Sequence, residues 1–498
     1  MISHRRHWAL SFAVTVAASL AFIGASAPAT TASSHSVTPY APLNDLFHAY
    51  GDSGGDWVAG QPRVWTGGDT TFSVELPGDR TVWIFSDTFL SPNDGCSESE
   101  PKPCHSRRLF VAPLVNNTFV IQDDQNLTKT LYGGTDASPS ALIRPPFPND
   151  SRSYYWMGDG TVEGDKLHAF VHRYPLTPGT VPPSAEATDV ATFSLPELNL
   201  EVINEGVSPT GPRPWAFAAP PVGSVAPVTW GAGILEDGEF VYVYGTEEYP
   251  LHKFLHVARF PAGQLLNGPW EYYTGTGWSK DPLLSTRILK DVSGELSVVK
   301  TTGGYRVVAS LLGLGDIMAY EGPNPFGPWG EGTVVYSPSE ASSSGAFTYN
   351  SKEHPQLSCD GTSVISYNVN GTVDGKDSFQ DIHVYRPRFI EVSGLTPVHC
   401  ANVPPIATDD RAEIKMNSSA RIPVLDNDND PDGDSLSVVR VTQGANGMVR
   451  INSDNTITYQ PRRGFKGIDS FSYVIDDGNG GQDTGLVTVN VRPSLQAL

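Results

Sequence analysis

Residues 70–89, TTFSVELPGDRTVWIFSDTF, decide the fold. Apolar side chains alternate on both sides of Pro77-Gly78-Asp79, the pattern of two half-buried strands joined by a tight turn. The same form recurs as YYWMGDGTVEGDKLHAFVHRY (154–174), WGAGILEDGEFVYVYGTEE (230–248), ELSVVKTTGGYRVVASLL (295–312) and HPQLSCDGTSVISYNVN (354–370). The turns fall near Gly78, Gly164, Gly238, Gly303 and Gly361. Room for two more strands lies between successive hairpins, and Gly268-Pro269-Trp270 and Gly327-Pro328-Trp329 take matching places after the third and fourth. Five such four-stranded units predict an all-β chain whose residues 40–400 form a five-bladed β-propeller. The alternative is an ordinary β-sandwich, which a repeat of roughly 60 to 85 residues does not suit.

After a linker at 401–405, Asp and Asn become dense and tryptophan disappears. The runs 421–425, 435–441, 456–459, 470–475 and 486–491 predict a small β-sandwich over 406–493. Leu425-Asp426-Asn427-Asp428, Asp432-Gly433-Asp434 and Phe471-Ser472-Tyr473-Val474-Ile475-Asp476-Asp477 resemble the bacterial cadherin-like or Ig-like repeat, which implies a spacer or adhesion module. Asp426, Asp428, Asp430, Asp432 and Asp434 offer hard oxygen ligands for a calcium ion. Their spacing is not that of an EF-hand loop, and an Asx-rich turn is the competing reading. No other cofactor is expected.

At the other end, Arg5-Arg6 precede an apolar run from Trp8 to Gly24 and then Ala25-Ser26-Ala27, the layout of a signal peptide over 1–32. No later run approaches the roughly 20 apolar residues of a transmembrane helix. The expectation is a secreted chain, by default a monomer. A formal charge of −21 repels phosphate backbones, so nucleic acid is excluded as a partner. Ten Trp and nineteen Tyr suit a surface offering rings to a polysaccharide. Four cysteines in an exported chain predict disulfides, Cys96 with Cys104 and Cys359 with Cys400.

Propeller chemistry sits where the hairpins open onto the central channel. Reflecting the first hairpin about Gly78 sets Asp69 against Asp87, two carboxylates at one mouth, a pairing that separates an acid from a base. The bland reading makes Asp69 a turn cap and Asp87 a loop brace. The same reflection brings Glu295 to the fourth mouth and Glu353 with His354 to the fifth, while Glu247-Glu248 end the third hairpin. Asp159 lies between glycines that permit close approach of a ligand. Trp57, Trp65, Trp156, Trp215 and Trp230 are candidate sugar platforms, most of them expected in the core, and Arg386 is placed near the channel carboxylates or in a structural salt bridge.

Gly68-Asp69-Thr70-Thr71-Phe72-Ser73-Val74, Trp83-Ile84-Phe85-Ser86-Asp87-Thr88-Phe89, Glu353-His354-Pro355, Ser366-Tyr367-Asn368 and Tyr385-Arg386-Pro387-Arg388-Phe389-Ile390 together resemble bacterial five-bladed propeller domains of formerly unknown function related to endo-D-arabinanases, over residues 45–395. The resemblance implies a glycoside hydrolase acting on a furanose-containing polysaccharide, arabinan or arabinogalactan. It makes Asp69 the base or nucleophile and leaves Glu247 and Glu295 competing as the acid. No acid opens the third hairpin at Trp230-Gly231, a departure from an arabinanase site. The rival function is a non-catalytic carbohydrate-binding or adhesion protein.

Overall fold

The computed structural model describes residues 35–53, 61–78, 80–91, 93–94, 107–108, 112–146, 153–175, 185–208, 228–249, 252–311, 315–342, 345–358, 361–373, 378, 381, 384–398, 405–430, 435–477 and 481–493. It divides into two compact units, 1–399 and 400–498.

In the first unit, each hairpin read from the sequence begins an antiparallel meander. The first sheet orders Phe72–Leu76, Arg80–Phe85, Thr118–Asp123 and Asn126–Leu131. The second orders Ser153–Glu163, Lys166–Pro175, Ala187–Ser194 and Asn199–Ser208. The third begins Val228–Asp237, Phe240–Glu248, Lys253–Pro261, Glu271–Tyr273 and takes two short extra strands, and the fourth runs Ser297–Thr301, Gly304–Ser310, Ile317–Gly322, Thr333–Tyr336. In the fifth, Ala346–Glu353, Thr362–Gly371 and Arg388–Ser393 are joined by Ser36–Pro39 from the far end of the unit, with Val37 opposite Val392.

Because successive side chains of a strand point to opposite faces, each sheet has two apolar faces to bury, and the core divides accordingly. Phe72, Val74 and Ile84 pack against Tyr155, Met157 and Leu167 between the first and second sheets. Phe170 and Val190 meet Trp230 and Val243 between the second and third. Tyr244 and Leu255 meet Val298 and Val307 between the third and fourth. Val308 and Ile317 meet Ile365 and Ile390 between the fourth and fifth. The remaining face of the fifth sheet, with Val364 and Phe389, packs with Trp83 and Phe85 of the first. The helix Ala41–Asp52 joins this last core by burying Leu43, Phe47 and Gly51, one residue per turn along one stripe. Phe47 stacks on Phe389 and meets Trp65, Trp83 and Phe85 edge-on, and fully burying such a side chain is worth about 1.5–3 kcal/mol.

The fifth hairpin is longer than its sequence suggests. Its inner strand precedes His354-Pro355 and the 3-10 turn Pro355–Leu357 instead of starting there. The mouth of that hairpin therefore lies near Ala346 and Gly371, which are paired.

The second unit is a two-sheet β-sandwich. Asp410–Lys415, Gln482–Arg492, Gly467–Asp476 and Ser437–Val441 form one sheet, in which Asp410–Lys415 runs parallel to its neighbour. Ala420–Ile422, Ile457–Pro461 and Gly447–Ile451 form the other. Ile414, Val424, Tyr459, Phe471, Tyr473 and Val489 fill the space between them.

Candidate functional site

The register of the first hairpin, from Leu76 opposite Arg80 to Phe72 opposite Ile84, continues to its mouth. There the Asp69 N–H donates to the Asp87 carbonyl at 3.2 Å, and the Ser86 N–H donates to the Asp69 carbonyl at 3.0 Å. The two carboxylates thus spring from facing positions. Between Asp69 and the strand proper stand Thr70 and Thr71, with φ of +83° and +57°. β-Branched residues rarely adopt this region, and each costs on the order of 1–3 kcal/mol, sustained only where the surroundings over-determine the backbone.

Asp69 Oδ2 accepts hydrogen bonds from the hydroxyls of Tyr349 at 3.1 Å and Tyr385 at 3.0 Å. Its Oδ1 is buried and receives none among the described residues. Burial, then the charges of Asp87 and Glu295, push the Asp69 pKa well above the ordinary carboxylate range. Asp87 Oδ1 accepts from Trp156 Nε1 at 2.9 Å and Asn116 Nδ2 at 3.0 Å. Burial raises its pKa also, and these two donors oppose the rise. The Trp156 ring lies 5.4 Å from Tyr154 and 4.7 Å from Tyr174, so the second sheet sets an aromatic group beside the carboxylate.

Glu295 reaches the same place from the start of the fourth sheet. Its Oε1 accepts from Thr70 Oγ1 at 3.0 Å and its Oε2 from Lys352 Nζ at 2.6 Å. The Lys352 side chain is 2% exposed. Its ammonium also donates to the carbonyls of Thr70 and Asn350 and lies 4.2 Å from the Phe72 ring centroid. A β-bulge between Tyr349 and Lys352, with Asn350 at φ +56°, lets both side chains serve the site.

Asp159 occupies a bulge in the second inner strand. Its oxygens accept from the N–H groups of Gly160 and of Ile234 in the next sheet, both at 2.8 Å. Burial lifts its pKa to about 7. Its direct partners make it a stitch between adjacent inner strands.

Three expectations are corrected, and of the two readings of Arg386 the structural salt bridge holds in place of a contact with substrate. Glu247 is 1% exposed and bound to Arg287 at 2.5 Å and Tyr249 at 2.7 Å, so it is a neutralised core group with no access to substrate. Trp230, 2% exposed, is packed on Tyr272 and Trp270 in the core between the second and third sheets and offers no face to a sugar. His354 is 1% exposed and braced between Ser73 at 2.6 Å and Ser366 at 2.8 Å, because the residue lies on the turn side of its strand and not at the mouth. Arg386, wholly buried, turns toward the helix and donates to the Thr66 carbonyl at 2.9 Å and Asp52 at 3.1 Å. Trp65 is likewise core. Trp57, Trp215, all four cysteines, Asp432 and Asp434 lie outside the described residues.

In the sandwich, Asp428 accepts from the Thr408 N–H at 2.7 Å and from the Tyr473 hydroxyl. Asp426 lies in the 3-10 turn Val424–Asn427. Among the described residues no group of three His, Cys, Asp or Glu is arranged to hold a metal ion.

Sequence reasoning missed Tyr349, Lys352, Tyr385, Asn116, Tyr154 and Tyr174. Tyr154 and Tyr174 bound the second quoted hairpin and Tyr385 opens the quoted YRPRFI run, so their signal was position at a mouth. Tyr349 and Lys352 precede the assumed start of the fifth hairpin.

No curated protein matches the sequence. The crystal structure of a candidate hydrolase from Bacteroides ovatus ATCC 8483 superposes with a TM-score of 0.54 at 21% identity, covering 74% of this chain and 93% of that one, a likeness of fold. An α-L-arabinofuranosidase from Podospora anserina in complex with cellotriose gives 0.37 at 9% identity over 68% and 94% of the two chains. A GH43_1 enzyme from Xanthomonas citri complexed with xylotriose gives 0.34 at 12% over 67% and 90%. A family model described as bacterial Ig domain matches residues 402–490, in keeping with the sandwich. The model described as domain of unknown function DUF5005 matches residues 59–395, the span that carries every residue of the site, and the chain belongs to that family.

Proposed function

We propose that the first unit is a five-bladed propeller that hydrolyses glycosidic bonds in a furanose-containing polysaccharide, arabinan or arabinogalactan, outside the cell. Five successive sheets with a core between each and the next, the last core joining fifth sheet to first, support the blade count. The leader-like residues 1–32 and the Ig domain support export.

The observation that carries the chemistry is the facing pair Asp69 and Asp87, two partly buried carboxyls in unequal environments. Burial and two neighbouring negative charges keep the proton on Asp69, whereas two N–H donors stabilise the charged form of Asp87. Asp69 then protonates the leaving glycosidic oxygen, the reverse of the base or nucleophile role that the family resemblance implies for it. Asp87 supports attack at the anomeric carbon, through a water whose proton it takes or directly. Trp156, with Tyr154 and Tyr174 behind it, gives the sugar a ring to lie against. Neither of the tyrosines on Asp69 competes for its proton, since burial raises both phenol pKa values well above 10.

The test is reducing-end release by the purified protein from D-arabinan, arabinogalactan, L-arabinan, xylan and levan, with Asp69→Asn and Asp87→Asn alongside. Product from one polysaccharide, lost in both variants while the fold persists, is the expected result. Retained affinity without turnover in the wild type supports the binding-protein reading instead.

A further inference from the structure

Three sheets meet at one closed ring of polar contacts. Thr70 Oγ1 donates to Glu295, Glu295 pairs with Lys352, and Lys352 donates back to the Thr70 carbonyl. The ring encloses the first of two consecutive threonines held in the left-handed region, the residue directly after Asp69. A β-branched residue does not stay there without compensation, and the segment is also held by the hydroxyl–hydroxyl hydrogen bond between Thr70 and Ser86 at 2.7 Å and by the Asn368 amide N–H donating to Thr71 Oγ1 at 3.0 Å. Burying an ammonium is costly unless its donors are matched, and here two carbonyls and one carboxylate meet them. The charges bearing on Lys352 include Glu295, Asp159 and Asp69.

We propose that Lys352 and Glu295 are positioning residues, a clamp that holds the strained Thr70-Thr71 backbone and thereby aims the Asp69 carboxyl, and that Glu295 carries no proton in the reaction. The proposal rests on the hydrolase reading for its kinetic consequences and on geometry alone for its structural one. It removes Glu295 from the competition for general acid, because an oxygen engaged at 2.6 Å by a buried ammonium and another engaged by Thr70 leave neither facing a substrate freely.

The experiment has two arms. Crystal structures of Lys352→Met and of the charge-neutral double variant Lys352→Met/Glu295→Gln are compared with the wild type. The clamp predicts that the Thr70 peptide leaves its left-handed conformation and that Asp69 loses its bonds to Tyr349 and Tyr385. An unmoved Asp69 in both variants overturns the proposal. In the kinetic arm, a displacement near 1 Å costs about 100-fold, so Lys352→Met lowers kcat about 100-fold with KM within about threefold, and Lys352→Arg recovers about tenfold of it. Glu295→Gln lowers kcat yet keeps both limbs of the pH profile, and loss of a limb overturns the proposal by making Glu295 a proton carrier. A wild type without turnover defeats the hydrolase reading, and the crystallographic arm still decides the clamp.

Discussion

Replacing Trp156 by phenylalanine removes one hydrogen-bond donor from Asp87 and leaves an aromatic face in its place. The bond lost is the 2.9 Å contact from the indole N–H to Oδ1, and Asn116 remains as the second donor. A hydrogen bond to a charged acceptor contributes about 1.5–3 kcal/mol, and about 1.4 kcal/mol corresponds to one pKa unit. The charged form of Asp87 alone loses this support, so its pKa rises by about one to two units. With Asp87 as the ionised partner, the acidic limb of the kcat profile moves up by that amount and the basic limb, governed by the proton on Asp69, stays. Initial rates across a pH series with saturating polysaccharide read this directly, and any loss of sugar stacking enters KM instead. Since the two carboxyls titrate as a pair, the limbs are apparent values of the pair, and Asn116→Leu serves as an independent removal of the other donor with a shift of the same sign. An acidic limb that does not move in either variant, or a basic limb that moves in its stead, refutes the assignment of Asp87.

Three further outcomes are expected. His354 has its pKa lowered to about 3 by burial and the nearby Lys352 charge, below the unfolded value of about 6.5. The unfolded chain therefore binds the proton first, and stability falls as pH drops below about 6.5, by about 2 kcal/mol at pH 5; chemical denaturation of wild type and His354→Gln at both pH values checks that the variant lacks this component. Arg306→Met leaves Glu353, wholly buried and held at 2.7 Å, without its counter-charge, which costs about 3–5 kcal/mol, whereas Arg306→Met/Glu353→Leu recovers much of it, as thermal unfolding reports. In the sandwich, Asp469 accepts from Tyr459 at 2.7 Å and from the N–H groups of Ala445 and Asn446. Asp469→Ala strands these donors at about 1–3 kcal/mol, seen as a lower denaturation midpoint of that unit with no change in turnover.

The facing of Asp69 and Asp87 was legible because an antiparallel hairpin has a rigid period. Once Gly78 is taken as the turn, nine residues either way reach the same pair that the register joins. Legibility failed wherever that period is broken. The bulge at Asn350-Ser351 and the turn after His354-Pro355 moved the fifth inner strand upstream, so Tyr349 and Lys352 were invisible and His354 was placed at the wrong end. In the third hairpin no break intervenes between Phe240 and Glu248, but adjacent side chains face opposite sides, and spacing alone did not say that Glu247 turns inward to Arg287 while Glu248 pairs with Lys253. Trp230 illustrates a different limit. A tryptophan suits a sugar platform and a core equally well by composition, and only packing against Trp270 and Tyr272 distinguishes them.

The pairing of Ser36–Pro39 with Arg388–Ser393 ties together segments some 350 residues apart. A polypeptide emerging N-terminus first exposes its opening strand long before the partner exists, so that strand waits unpaired while four sheets assemble from local hairpins. Completion of the fifth sheet closes a loop of almost the whole domain, at a cost in loop-closure entropy. A truncation that removes Ser36–Pro39 would deprive the fifth sheet of its edge and leave Arg388–Ser393 as an open strand prone to pairing with a second chain.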